Sequence, residues 1–160
     1  VLGQVMSKGD RMDYAIQKAT ELGVSTIQLL TSERCEMRLK YDRDQKKIDH
    51  WQSVAIAACE QCGMNIVPKI LAPLRLEDWF NSNLPATKLV LAPNKDQVDV
   101  LNNVSKDLAL LIGPEGGLSE AEINAANAVG FENWCIGSRV LRTETAPVVA
   151  LAILNYRLAE

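Results

Sequence analysis

The sequence contains no apolar run near the roughly 20 residues that cross a bilayer. Its longest apolar segment, Ala146 to Leu154, is far shorter. No charged-then-apolar leader opens the chain and no lipidation signal closes it, so a cytoplasmic protein with no membrane partner is expected. Histidine is nearly absent: His50 stands alone beside four cysteines, Cys35, Cys59, Cys62 and Cys135. Only Cys59 and Cys62 form a C-x-x-C pair, and with no second pair the set for a tetrahedral zinc site is incomplete, so no metal is expected. Redox C-x-x-C motifs use a helix N-terminus to lower a thiol pKa, whereas this pair comes late in a helical pattern; buried, inert thiols are expected. An overall basic charge is also missing, the net formal charge being −3. There is no internal repeat and no low-complexity linker, which points to one domain. The first residue is Val1 rather than Met, as expected of a fragment.

What is present is the composition of a soluble globular domain, 160 residues with 48% hydrophobic and 23% charged content. Helix and strand signals alternate. The apolar start Val1 to Met6 leads to a helical stripe at Met12, Ala15, Ile16, Ala19 and Leu22, stopped by Gly23. "VSTIQLL", Val24 to Leu30, is strand-like. A second amphipathic helix shows Trp51, Val54, Ala55, Ala58, Cys59 and Cys62 on one face and ends at Gly63. "NIVPKIL" follows as a short strand, then a short helix around Leu76 to Asn81. "KLVLAP" and "LALLIGP" read as buried strands, and Ser119 with Glu122 spells a capping box. That helix turns Ile123, Ala126 and Val129 inward; "FENWCIG" is a further strand, and a last helix runs from Ala146 to Leu158. Strands separated by helices predict an α/β domain over residues 1–160, a mainly parallel sheet covered on both faces. Ligands in such folds collect beyond the carboxyl ends of the strands, where "LAP" and "IGPEGG" both lie.

"IGPEGG" first suggests a phosphate cradle, because backbone N–H groups at a helix start attract anions. Neither phosphate-loop pattern fits, however, and Glu115 projects from the turn with no lysine nearby in sequence. A carboxylate beside a phosphate costs electrostatic energy, so the ligand is expected to be neutral or cationic next to Glu115. The second glycine-bearing connection, "IGSRVLRTETAPVVA", presents Arg139, Arg142, Thr143, Glu144 and Thr145 ahead of an apolar helix. Its threonines and Glu144 suit a helix cap, but two basic residues and a second carboxylate exceed what a cap requires. Basic residues also cluster between Arg34 and Lys47, where six cations face three acids; an RNA-facing surface and a solvated loop both account for them.

Together "LLIGPEGGLSEAEI" and "IGSRVLRTETA" resemble the signature of the 16S ribosomal RNA uridine N3-methyltransferases, members of the knotted SPOUT class. "KGDRMDYAIQKATELGV", "SERC" and "AACEQCGMNIVP" fall in that family's order, so the resemblance covers essentially the whole chain. Met64 and Ser138 depart from it, standing where the family usually has arginine and proline. The resemblance implies a C-terminal trefoil knot, a homodimer, and a small RNA-binding N-terminal β-barrel that this sequence does not include. It implies S-adenosylmethionine held by three strand-end loops: Leu91, Ala92 and Pro93; Ile112, Gly113, Pro114, Glu115 and Gly116; and Ile136, Gly137, Val140, Leu141, Arg142, Thr145 and Ala146.

A cationic sulfonium would make carboxylates at Glu115 or Glu144 tolerable. Uracil N3 carries a proton that must leave, so a basic side chain to stabilise the anion and a carboxylate to take the proton are expected. Arg142 is assigned the first role, and Glu115 or Glu144 the second or an orienting one. Arg34, Arg38, Lys40 and Arg139 are the expected contacts to 16S ribosomal RNA of the small subunit. Two other readings compete with this one: a binding module of the same fold that transfers no methyl group, and a C-x-x-C thiol oxidoreductase.

Overall fold

The computed structural model describes residues 1–7, 10–35, 41–63, 65–92, 100–102, 104–136 and 141–158, the side chains of residues 41–44 excepted. Alternating apolar residues produce six strands: β1 Leu2–Val5, β2 Thr26–Thr31, β3 Lys69–Arg75, β4 Thr87–Leu91, β5 Leu108–Ile112 and β6 Glu132–Trp134. They form one sheet in the order β3-β2-β1-β5-β4-β6, and every pairing is parallel. Five helices connect or cover them: α1 Asp10–Glu21, α2 Tyr41–Cys62, α3 Leu76–Phe80, α4 Glu120–Ala128 and α5 Ala146–Leu158. The expected α/β class with a parallel sheet is borne out.

Side chains two apart on a strand share a face, and that period sorts the core into two layers. Leu2, Leu29, Leu89, Leu110 and Ile112 pack with Met12 and Ile16 of α1, Trp51 and Ala55 of α2, and Ala150 and Leu154 of α5. Val5, Leu30, Val90 and Leu111 face the other way, onto Leu76 and Trp79 of α3, Ala126 of α4, and Phe131. Each fully buried leucine or isoleucine contributes about 1.5–3 kcal/mol by leaving water, so both layers hold the sheet firmly.

Several boundaries differ from the sequence expectation. β3 begins at Lys69 because Pro68 has no N–H to give to a ladder. β6 is three residues long, shorter than "FENWCIG". α2 starts at Tyr41, so the end of the basic segment, with exposed Lys46 and Lys47, belongs to a helix rather than a loop.

The order of the strands locates the site. From β1 the chain moves outward through β2 to β3, whereas β5 lies on β1's other side and leads outward past β4 to β6. Connections therefore diverge between β1 and β5, and in such sheets ligands bind beyond the carboxyl ends of the strands at that point. Ser7 and the start of α1 stand on one side of it, Gly113 and Pro114 on the other.

Candidate functional site

The apolar run of β5 ends at Ile112, and the chain reverses at once. The N–H of Gly117 donates to the carbonyl of Pro114 at 2.8 Å, closing a β-turn with Glu115 and Gly116 at its centre. Gly117 takes φ +76, a left-handed value that side chains disfavour. Gly113 answers a different demand: a Cβ there would lie 2.8 Å from Cγ of Leu118. Beyond the turn the capping box forms as spelled. Ser119 Oγ accepts from the Glu122 N–H at 3.1 Å, and Glu122 Oε1 accepts from the Ser119 N–H at 2.8 Å.

Side chains from elsewhere brace this turn. Glu115 forms an ion pair with Arg11, in the first turn of α1. Arg34 donates through Nη1 to the carbonyl of Gly116 at 2.9 Å, and the N–H of Glu33 donates to Glu122 Oε2 at 3.1 Å. The Ser32–Cys35 loop is thereby tied to the glycine turn and to α4. The sequence places no lysine near Glu115; in the fold Arg11 supplies the cation, because α1 begins at the same edge of the sheet where β5 ends. A basic residue opening the helix after β1 was the available signal. Arg34, expected to contact RNA, spends one donor on shaping the turn.

The second connection meets the first directly. Thr143 is 5% exposed, and its hydroxyl donates to the carbonyl of Gly113 at 3.0 Å while accepting from Gln4 Nε2 at 3.2 Å. The N–H groups of Thr145 and Ala146 both donate to the carbonyl of Arg142, at 3.0 and 2.9 Å, bending residues 142–146 into the start of α5. Arg142 is 83% exposed and Glu144 only 18%, with 3.9 Å between their charged groups. Glu144 is thus the more secluded carboxylate, loosely paired, whereas Glu115 is committed to Arg11.

The third loop joins through the backbone, the N–H of Ala92 donating to the carbonyl of Trp134 at 3.1 Å. Leu91, Ala92, Ile112, Gly113, Pro114, Glu115, Gly116, Ile136, Leu141, Arg142, Glu144 and Thr145 sit at strand ends or in the connections that follow them, and Ala146 opens α5. Pro93, Gly137, Arg139 and Val140, with Arg38, Lys40, Met64 and Ser138, lie outside the described residues. Gln4 and Thr143 are functional neighbours that the sequence reading did not single out as site residues.

The cysteines behave only partly as expected. Cys59 alone is buried; Cys62 is exposed, and Cys35 and Cys135 are intermediate. Desolvation, then the neighbouring Cys62, pushes the Cys59 thiol up from its ordinary pKa. The pair closes the C-terminus of α2, where the helix dipole opposes a thiolate. Among the described residues no group of histidine, cysteine and carboxylate side chains could hold a metal ion, and no helix is long and apolar enough to cross a membrane. A cavity of about 370 Å³ opens on the α3 and α4 side, between Ser32, Glu33, Arg75, Phe80 and Glu122. It includes none of the residues expected to bind cofactor or RNA or to act in catalysis, and its charged lining is Glu33, Glu77 and Glu122 against Arg75.

With that geometry in place, comparison with known proteins is informative. Residues 1–155 match the model of the RNA methyltransferase domain. The chain belongs to that family. Among curated family relatives, the ribosomal RNA small subunit methyltransferase E of Buchnera aphidicola (Schizaphis graminum) is 38% identical over 99% of this chain and 65% of its own length. A Legionella pneumophila protein described as a methyltransferase, solved with bound S-adenosylmethionine, superposes with a TM-score of 0.92 at 40% identity, covering 97% of this chain and 64% of that one. The small subunit methyltransferase E of Neisseria gonorrhoeae, bound to S-adenosylmethionine, gives 0.90 at 38% identity, covering 98% and 65%. The expected family resemblance is borne out, and the chain spans somewhat under two thirds of the length of these relatives.

Proposed function

We propose that this chain is the catalytic domain of an S-adenosylmethionine-dependent methyltransferase acting on N3 of a uridine in 16S ribosomal RNA of the small subunit. One observation carries the reading. The hydroxyl of Thr143 joins the Gly113–Gly117 turn to the Arg142–Ala146 segment where the sheet's connections diverge, so the two motifs distant in sequence form one site. The relatives whose names and bound ligand point to this chemistry share this fold, with TM-scores of 0.92 and 0.90.

The residues fit the donor. Gly113 keeps side-chain bulk out of the turn, and backbone groups of the loops can hold adenine. Glu144, 18% exposed, provides negative charge in partly desolvated surroundings, where it acts more strongly than in water. When bound, S-adenosylmethionine supplies an electrophilic methyl group on a cationic sulfonium.

The chain's own groups do the rest. Arg142, largely exposed and only loosely paired, extends to the side from which an RNA base arrives, and its charge stabilises the uracil anion. Glu144 accepts the N3 proton, directly or through water. Glu115, held by Arg11, orients the turn. The loops align base nitrogen and methyl carbon, and positioning is the larger part of the rate enhancement. The uridine must leave its stack to enter.

Arg34, beside the turn, and Arg38, Lys40 and Arg139 form the RNA-facing cations, acting on phosphates. The C-terminal trefoil knot of the SPOUT class closes the site. A homodimer covers the outer side of α5, where Tyr156 is 81% exposed, and the protein works in the cytoplasm on small subunits.

Calorimetric titration with S-adenosylmethionine, together with transfer of labelled methyl groups to 30S subunits by the full-length protein, tests the reading. Binding and transfer support it. Binding without transfer leaves the non-catalytic module; neither removes the site.

A further inference from the structure

Gln4 is a polar side chain in the middle of the sheet, 1% exposed among Leu2, Leu29, Leu110 and Ile112. It pairs in register with Leu29 of β2 and Ile112 of β5. A buried amide is costly unless its hydrogen bonds are made, so its retention at this position asks for a cause. Its Nε2 donates to the carbonyl of Val5 at 3.1 Å and to Thr143 Oγ1 at 3.2 Å. A backbone carbonyl only accepts, which fixes the nitrogen on that side and rules out the flipped amide. Thr143 then has its one proton free for the carbonyl of Gly113, at 3.0 Å. The opposite atom, Gln4 Oε1, is buried with no hydrogen-bond partner among the described residues.

Gln28, in the neighbouring strand, provides a contrast. It is equally buried, and its Nε2 donates to the carbonyls of Leu29 and Ala72 at 2.9 and 2.7 Å. Both acceptors lie within the sheet, where β2 and β3 shift register, and its task is to fill a bulge. Gln4 instead sends its second bond out of the sheet into a loop 139 residues away.

We propose that Gln4 is a positioning residue for the methyl-donor site: by orienting Thr143 it sets the spacing between the Gly113–Gly117 turn and the segment that presents Arg142 and Glu144. This rests on the reading of those loops as the site for S-adenosylmethionine. The rigid central strand β1 serves as the reference, and the carboxamide transmits its position to both loops.

The full-length protein tests this with Gln4→Met, which keeps length and loses both hydrogen bonds, and Thr143→Val, which breaks the same chain from the loop side while leaving the sheet intact. Thr143→Ser restores the hydroxyl. Two quantities are read: affinity for S-adenosylmethionine, and hydrogen exchange of the Gly117 and Thr145 amides in cofactor-free protein. Gln4→Met and Thr143→Val should each weaken binding and speed exchange by about tenfold. Thr143→Ser should stay within about twofold of wild type, and the double variant should be no worse than either single one, because one chain is broken once. Wild-type exchange and affinity in Gln4→Met, or multiplying effects in the double variant, overturn the proposal. Should the unaltered protein fail to bind S-adenosylmethionine, the site reading falls, while the exchange data still decide whether Gln4 positions the loops.

Discussion

Gly116 and Gly117 are adjacent and chemically identical, yet the turn asks different things of them. The Pro114–Gly117 hydrogen bond makes Gly116 the second central residue, and only Gly117 has a positive φ, +76. That excludes a type II turn, which needs the left-handed residue at Gly116, and places the strained position one residue later. Gly117→Ala puts a Cβ into left-handed backbone at a cost of about 1–2 kcal/mol. A Cβ at Gly116 meets only the stem of Arg34, at 3.5 Å, an ordinary contact, so Gly116→Ala should stay within about 0.5 kcal/mol of wild type. For a domain of this size, about 1 kcal/mol corresponds to a melting shift of about 2–4 °C. Differential scanning calorimetry on the two alanine variants should therefore show a drop of several degrees for Gly117→Ala and almost none for Gly116→Ala. Gly116→Val, which adds bulk on the exposed side without forcing left-handed backbone, should fold and fail to bind S-adenosylmethionine. Equal melting temperatures for the two alanine variants, or a larger drop for Gly116→Ala, would refute this assignment of the turn; unchanged donor affinity in Gly116→Val would refute the placement of ligand against it.

Arg142→Ala should lower kcat by about 100-fold, as loss of a charge-stabilising donor does, with little change in melting temperature because the side chain is 83% exposed; a parallel loss of stability and rate would move the role elsewhere. Ser119→Ala removes the acceptor for the Glu122 N–H and should destabilise the fold by about 1 kcal/mol, which chemical denaturation can measure; an unchanged midpoint would mean that α4 is held from outside its cap. Replacing Cys59 and Cys62 together by serine should leave methyl transfer standing, and its abolition would revive the thiol chemistry that the C-terminal position of the pair argues against.

The division between what was legible and what was not follows sequence separation. Helix stripes such as Met12, Ala15, Ile16 and Ala19, the capping box of Ser119 and Glu122, and the strand-like "LALLI" are local patterns whose physics is complete within a few residues, and each appears in the fold close to where it was read. The two glycine-bearing motifs also marked the candidate site, because so little side-chain bulk after a buried strand is informative in itself. Strand ends were less legible: Pro68 delays β3, and tertiary pairing shortens β6.

The chain alone therefore determined its element types, its parallel α/β class and the two glycine-bearing connections proposed as the site. Tertiary structure alone decided that Arg11 would neutralise Glu115, that Arg34 would hold Gly116, and that Gln4 would reach Thr143. The physical reason is that a side chain's charge and hydrogen-bonding capacity are written in its identity, whereas its partner is chosen by strand order. Once β1 lies beside β5, residues from opposite ends of the chain share one edge of the sheet, and no pattern within either segment records that meeting.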